Sequence, residues 1–401
     1  MESNKKFRHW RHSLPATIYV LVYTIWTLAN SFSLSLSIVR ASYCVFYAMS
    51  LYYILKLFSL RSVCKFIRVL TLMYILVSLY GLALIAVGPI GMWKGTINAV
   101  AAYMLYVHSV IPVFVFYYFA RKGMISFSWF QFITIFFIIN ACALYYSNRI
   151  AMLNTIVTGS DIDGFTNNSA YAIVSLIPLV VFFQKNSFIQ FTLLIFISIF
   201  TIMCFKRGAI LVLICAVAYF VLNMCKTYSQ SRRMIILLLC VISGFILYRY
   251  VDNLFISNEY FNTRVLETVD GNSSNRDLIY TFFLNYYFSE ENGVIGFIFG
   301  NGAEATSKLL GTQAHNDWLE FAINMGLLGI IAYLLYWYTS FKYYLFAKRR
   351  LSKEIYIVMG LVLLINFMRT FFSMSFNDMS FFSASYIGYT MAMVDCKQIS
   401  S

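Results

Sequence analysis

The sequence predicts an all-α integral membrane protein of about twelve transmembrane helices, with one large loop between the ninth and the tenth. Three observations predict it. Hydrophobic residues make up 61% of the 401 residues and charged residues only 11%, against roughly 45–50% and about 25% in a soluble domain. Apolar segments near the ~20 residues needed to cross a bilayer recur along almost the whole chain. Basic residues gather in alternate connections, the pattern that orients a helical bundle. The length would otherwise suggest two or three soluble domains. A bundle of spans uses it as one unit, so residues 1–401 read as a single polytopic domain.

The elements follow in order. The basic start (Lys5, Lys6, Arg8, Arg11) runs into an apolar segment that reads as a first transmembrane helix, not a cleavable leader. The predicted spans are approximately 15–33, 41–60, 67–88, 98–120, 128–147, 168–184, 187–205, 208–225, 234–251, 317–341, 355–374 and 380–394. The pair 187–205 and 208–225 turns through Lys206-Arg207-Gly208. With the N-terminus in the cytoplasm, 19 of the 30 Lys and Arg fall inside, 10 outside, and Lys56 within a span. Among the acids only Glu2, Glu354 and Asp395 fall inside. Both termini are therefore expected in the cytoplasm. The net charge of +14 becomes a property of that face, suited to anionic lipid headgroups and not to nucleic acid.

The polar, acidic segment 252–316 breaks the run of short connections. Loops of this length in compact proteins are usually functional or disordered. This one carries aromatic clusters (Tyr280 to Phe283, Tyr286 to Phe288) and Gly296, Gly300 and Gly302, and Trp318 stands at its exit, so short helices are expected in it on the outer face. A second outer loop, 148–167, carries Asp161 and Asp163. The eight cysteines are scattered, form no CxxC pair and mostly sit in apolar runs, which reads as packing. No metal-ligand spacing and no phosphate-binding glycine loop occurs.

Four polar features fall on the outer side in this topology. His315 stands in Thr312-Gln313-Ala314-His315-Asn316-Asp317-Trp318-Leu319-Glu320, where a span meets water. Histidine changes its proton state near neutral pH, so it reads either as a hydrogen-bonded helix-start residue or as a general base. Asp317 or Glu320 is expected to orient it. Arg207 lies between two apolar runs, and reads either as a snorkelling turn residue or as a phosphate clamp, because its planar fork of donors matches phosphate oxygens. Arg276 opens an amphipathic stretch with Ser273, Ser274 and Asp277 as capping candidates, and a helix start beside an arginine suits an anion. Arg369, at the outer end of the eleventh span, reads as an interfacial anchor or a further anion ligand. His108 lies within a span and reads as a packed polar residue.

These residues carry a resemblance. His315-Asn316, nine residues, then Gly326-Leu327-Leu328-Gly329 resembles the His-Asn-x9-Gly-x-x-Gly signature of the O-antigen ligase and O-antigen polymerase superfamily. Phe299-Gly300-Asn301-Gly302 resembles the Gly-x-Gly step before that histidine. Lys206-Arg207-Gly208, Arg276 and Asn168 resemble the family's arginine between two spans, its large-loop arginine and a frequent asparagine. The motifs cover roughly residues 160–345; span count and loop placement extend the likeness along the chain.

The resemblance implies a fold like that of GT-C glycosyltransferases and a metal-independent reaction without a cofactor, on the periplasmic face of the bacterial inner membrane. The donor would be an undecaprenyl-diphosphate-linked oligosaccharide. Arg207 and Arg276, with Lys206, Asn168, Asn316 and Arg369, would hold it, and His315 would take a proton from the acceptor hydroxyl. A polymerase uses a second lipid-linked repeat unit as acceptor; a ligase uses the lipid A core. The His-Asn-Asp-Trp-Leu-Glu form resembles polymerases more, which implies a chain-length regulator as partner. A transporter of lipid-linked oligosaccharide is the reading from another class. Transporters usually gather polar groups at the midplane between two related halves. Here they gather at one face, and no repeat is visible.

Overall fold

The computed structural model describes residues 2–157 except 61, 88, 89, 93, 94 and 98; residues 167–225 except 205; helical positions scattered through 230–253; and residues 276–400. The expected features at Asp161, Asp163, Ser273 and Ser274, and much of the predicted span 234–251, lie outside the described residues. The chain runs α1 (Glu2–Ser31), α2 (Leu36–Phe58), α3 (Lys65–Val87), a small antiparallel hairpin β1 (Ile90–Met92) and β2 (Gly95–Ile97), α4 (Ala99–Arg121) and α5 (Phe127–Val157). There follow α6 (Ala170–Val174), α7 (Leu179–Phe182), α8 (Ser187–Ile202) and α9 (Arg207–Cys225). The C-terminal third comprises α10 (Arg276–Tyr287), α11 (Gly293–Phe299), α12 (Ala305–Leu310), α13 (Asp317–Arg350), α14 (Lys353–Phe372) and α15 (Phe381–Ser400).

Helix α15 packs along α4 at the centre of the bundle. Gly388 permits that closeness: a Cβ there would lie 2.6 Å from the Val113 carbonyl oxygen and 2.7 Å from the Tyr117 nitrogen. Small residues at such crossings let two backbones approach. Hydroxyls inside the apolar helices are satisfied locally, as Thr24, Ser50, Thr134 and Thr201 each donate to the carbonyl four residues back. The periphery is the reverse of a soluble protein. Helix α2 buries only Phe46, Ser50 and Leu57, and leaves Leu36, Val45, Leu51, Leu55 and Phe58 exposed. In water each would forgo roughly 1.5–3 kcal/mol of burial; acyl chains remove that cost. Five helices among the described residues are long and apolar enough to cross a membrane: α2, most of α3 and α5, α13 and α14.

One predicted span is not a single helix. Residues 168–184 fold as α6 and α7 with tight turns between them. Pro178 has no N–H to give, and the backbone around it closes i to i+3 bonds instead: Ile177 N to Val174 O, Leu179 N to Leu176 O and Val181 N to Pro178 O. The segment is almost wholly buried, so its shortness is shielded by neighbouring helices. Within the predicted large loop, residues 276–310 hold the three short helices α10 to α12.

The two ends of the bundle carry different polar groups. At one end the Lys65 N–H donates to Tyr343 Oη, Tyr117 Oη donates to Asp395, and Arg121 pairs with Asp395 at 3.3 Å. At the other end lie Asn168, Lys206, Arg276, His315 and the connection from α14 to α15.

Candidate functional site

Helix α13 begins and breaks in ways that shape this end. Asn316 is its N-cap, with extended backbone, and its Oδ1 accepts from Trp318 N at 2.9 Å and Leu319 N at 3.3 Å. The helix breaks nine residues after Asp317. Gly326 has φ 63° and ψ −154°, a backbone region that only glycine occupies readily. The break frees the carbonyls of the preceding turn. Two of them are taken up by the loop before His315: Asn301 N donates to Ile323 O at 2.9 Å and Gly302 N to Asn324 O at 3.0 Å. The approach is so close that a Cβ at Gly300 would collide with the backbone of Asn324 and Met325, and one at Gly326 with Ile298 and Gly300. Gly329 repeats the constraint, since its Cβ would meet Met325 Cβ at 2.6 Å. The glycines of both motifs thus weld the loop to a short half-helix, 317–325, that has His315 just ahead of it.

His315 has φ 52°, in the left-handed region that a non-glycine residue adopts only when its surroundings fix it. The segment before it is anchored by Glu320, whose Oε1 accepts from Ala314 N at 2.6 Å and whose Oε2 accepts from Thr306 Oγ1 and Asn324 Nδ2. Asp317 accepts from Ser375 N, Phe376 N and Tyr333 Oη. The expectation that Asp317 or Glu320 orients the imidazole is therefore corrected. Both carboxylates are buried, and both are committed to fixing backbone, one in the α14–α15 connection and the other before His315.

The cations come from three distant stretches. Lys206, just before α9, donates to Asn168 Oδ1 at 2.6 Å and lies 5.2 Å from the ring centre of Tyr171. Arg369 lies 5.0 Å from the same ring centre. It is 1% exposed; its Nη2 donates to Asp378 O at 2.9 Å and pairs with Asp378 Oδ2 at 3.3 Å, while its Nε and Nη1 are buried without a hydrogen-bond partner among the described residues. Arg276, in the first turn of α10, donates to Phe372 O at 3.0 Å. The last carbonyls of α14 carry the negative end of a helix dipole and have no helical donors. Tyr171 Oη also donates to Phe372 O, and Tyr280 Oη to Phe371 O. Gly208 makes this meeting possible, because a Cβ there would strike the Tyr171 hydroxyl and Phe372.

The field follows from that gathering. His315 is exposed, yet the protein around it disfavours the imidazolium, and Arg276 and Lys206 add to the effect; its pKa falls to about 4. Burial, then Arg276, lowers Lys206 to about 8, with Asp378 opposing. Asp378 is exposed, yet the protein around it raises its carboxyl, against Arg369 and Lys206. Chemically the arrangement is a neutral imidazole beside an excess of cations with spare donors, which suits an anion of high charge. Among the described residues no three of His, Cys, Asp and Glu come together in a way that could hold a metal ion.

Of the predicted residues, His315, Arg276, Lys206, Arg369 and Asn168 come together here, and Asn316 supports His315 as a cap. Arg207 is the half-buried first residue of α9; the contacts to Asn168 and Tyr171 belong to its neighbour Lys206. Sequence reasoning missed Tyr171, Tyr280 and Asp378. Tyr280 shows only as part of an aromatic cluster, and Asp378 left a signal as the one acid in the short polar connection after Arg369. No family model matches this sequence, and no curated protein matches it.

Proposed function

We propose that this protein is a surface-polysaccharide polymerase of the O-antigen type, joining undecaprenyl-diphosphate-linked repeat units by metal-independent glycosyl transfer. The observation that carries the reading is the meeting of Lys206, Arg276 and Arg369 beside His315, from separate stretches of the chain. A lipid diphosphate leaving group develops negative charge, and fixed cations and donors at that point lower the barrier. The unpartnered Nε and Nη1 of Arg369 supply donors without reorganisation. His315 takes the proton of the acceptor hydroxyl as that oxygen attacks the anomeric carbon. A base with a pKa near 4 is a weak acceptor, and an efficient one lies near the working pH. A bound diphosphate offsets the charge of Arg276 and Lys206, so the donor itself raises the basicity of His315. In this reading the chain has about twelve spans in the inner membrane, both termini in the cytoplasm, the site on the periplasmic face, and a chain-length regulator as partner.

The test is the glycan ladder from cells lacking the protein, complemented with wild type or His315→Ala. Lipopolysaccharide and lipid-linked glycan are extracted separately. Loss of polymerisation leaves a single repeat on the lipid core, and His315→Ala fails to restore the ladder. Long glycans accumulating on the carrier above a bare core mark a ligase instead. Full restoration by His315→Ala removes the histidine from the chemistry.

A further inference from the structure

Behind the half-helix 317–325 is a second polar cluster that the proposed reaction does not use. Glu320 is 2% exposed, and both its oxygens accept hydrogen bonds, including two from N–H groups. Such donors favour the ionised form of a carboxylate, and burial opposes it. Yet the ion pairs seen among the described residues, Arg121 with Asp395 and Arg369 with Asp378, do not include it. The buried carboxylate of Glu304 adds to the negative charge acting on Glu320. An ionised group buried without a counter-charge is costly.

A small cavity adjoins Glu320. It measures about 10 Å³ and is lined by Glu320, Asn324 and Asn377, with Val77, Ala303 and Met325 among its apolar walls. Asn377 is 7% exposed and its Oδ1 has no hydrogen-bond partner. The Asn324 amide is oriented by its bonds, with Nδ2 on Glu320 and Oδ1 accepting only a long 3.4 Å contact from Thr306 N. The break at Gly326 ends the half-helix at this cavity, and a helix C-terminus favours positive charge.

We propose that Glu320, Asn324 and Asn377 form a site for one desolvated monovalent cation, sodium or potassium. All the available ligands are oxygens, which suit a hard cation. The volume accepts one ion or one water, not an ion that keeps several waters as magnesium does. The ion would bind three strands of chain at once: the half-helix behind His315, the α14–α15 connection through Asn377, and the loop at Ala303. Its occupancy is independent of the glycosyl-transfer reading, because the test measures stability and not product.

The experiment is thermal unfolding of the purified full chain in detergent, first in choline chloride, then with sodium or potassium replacing choline at constant ionic strength. The wild type is expected to show a saturable rise of a few degrees with at least one of the two ions. Glu320→Gln and Asn377→Ala are each expected to lose that rise. Asn377→Ala carries the test if Glu320→Gln does not fold, since the Oδ1 it removes has no hydrogen-bond partner among the described residues. Equal midpoints in all three salts show a buried water only and overturn the proposal. A full ion-dependent rise retained by Asn377→Ala overturns it as well.

Discussion

At the scale of single residues, the site is defined by environment more than by residue type. The chain has four histidines, and His315 is the one placed beside Arg276 and Lys206 with a strained backbone. Its ordinary pKa is about 6.5 and its folded value about 4. Between those values the unfolded chain binds more protons, so stability contributed by the neutral ring is present above about pH 6.5 and declines as pH falls toward 4. The difference in unfolding midpoint between wild type and His315→Asn should therefore change across that window and stay constant above it. Arg276→Gln removes a charge that depresses the imidazole, so the His315 pKa read by NMR should rise; an unchanged value would show that Arg276 does not act on it. Asn316→Ala deletes the cap of the half-helix and is expected to cost about 1 kcal/mol in unfolding measurements. Sequence reading reached His315, Arg276 and Lys206 because charge is conspicuous in an apolar chain. It misassigned Asp317 and Glu320, because adjacency along the chain says nothing about which backbone N–H groups a buried carboxylate meets. Asp317 finds its donors at Ser375 and Phe376, almost sixty residues away.

At the scale of elements, the broken α13 is the part that makes a site from a span. An unbroken helix would keep the carbonyls of Ile323 and Asn324 for itself and leave the 300–302 loop without its anchors. Two glycine substitutions separate the causes. Gly302 has φ 93° but open space where a Cβ would go, whereas Gly300 has φ 76° and the backbone of Asn324 against it. Gly302→Ala should cost about 1 kcal/mol from backbone strain alone. Gly300→Ala should cost about 3 kcal/mol or more, since collision adds to strain. Equal unfolding midpoints for the two would show that the loop relaxes freely. The motif spacing was visible in the sequence, but its meaning was not. Gly300 and Gly326 are a contacting pair, and a contact between residues 26 apart is not written in either motif. The same holds for 168–184, where apolar composition alone suggested one span and Pro178 produced two short helices.

At the scale of the whole molecule, the two ends of the bundle are chemically different. One gathers Arg121, Asp395, Lys65 and Tyr343; the other gathers Lys206, Arg276, Arg369 and His315. Single cysteines introduced at Lys122 and at Asn168, both exposed, should react with a membrane-impermeant reagent from opposite sides of the membrane. Labelling of both from one side would refute the alternating topology. Composition determined that this chain is helical, with helices apolar enough to lie in a membrane, because burial in lipid acts on residue type along the chain. Tertiary structure alone decided that Lys206 and Arg369 face one tyrosine, that Arg276 rests on the end of α14, and that Glu320 is committed away from His315. Those outcomes depend on which helix ends pack together, and on carbonyls, dipoles and close glycine contacts that exist only after the helices have packed.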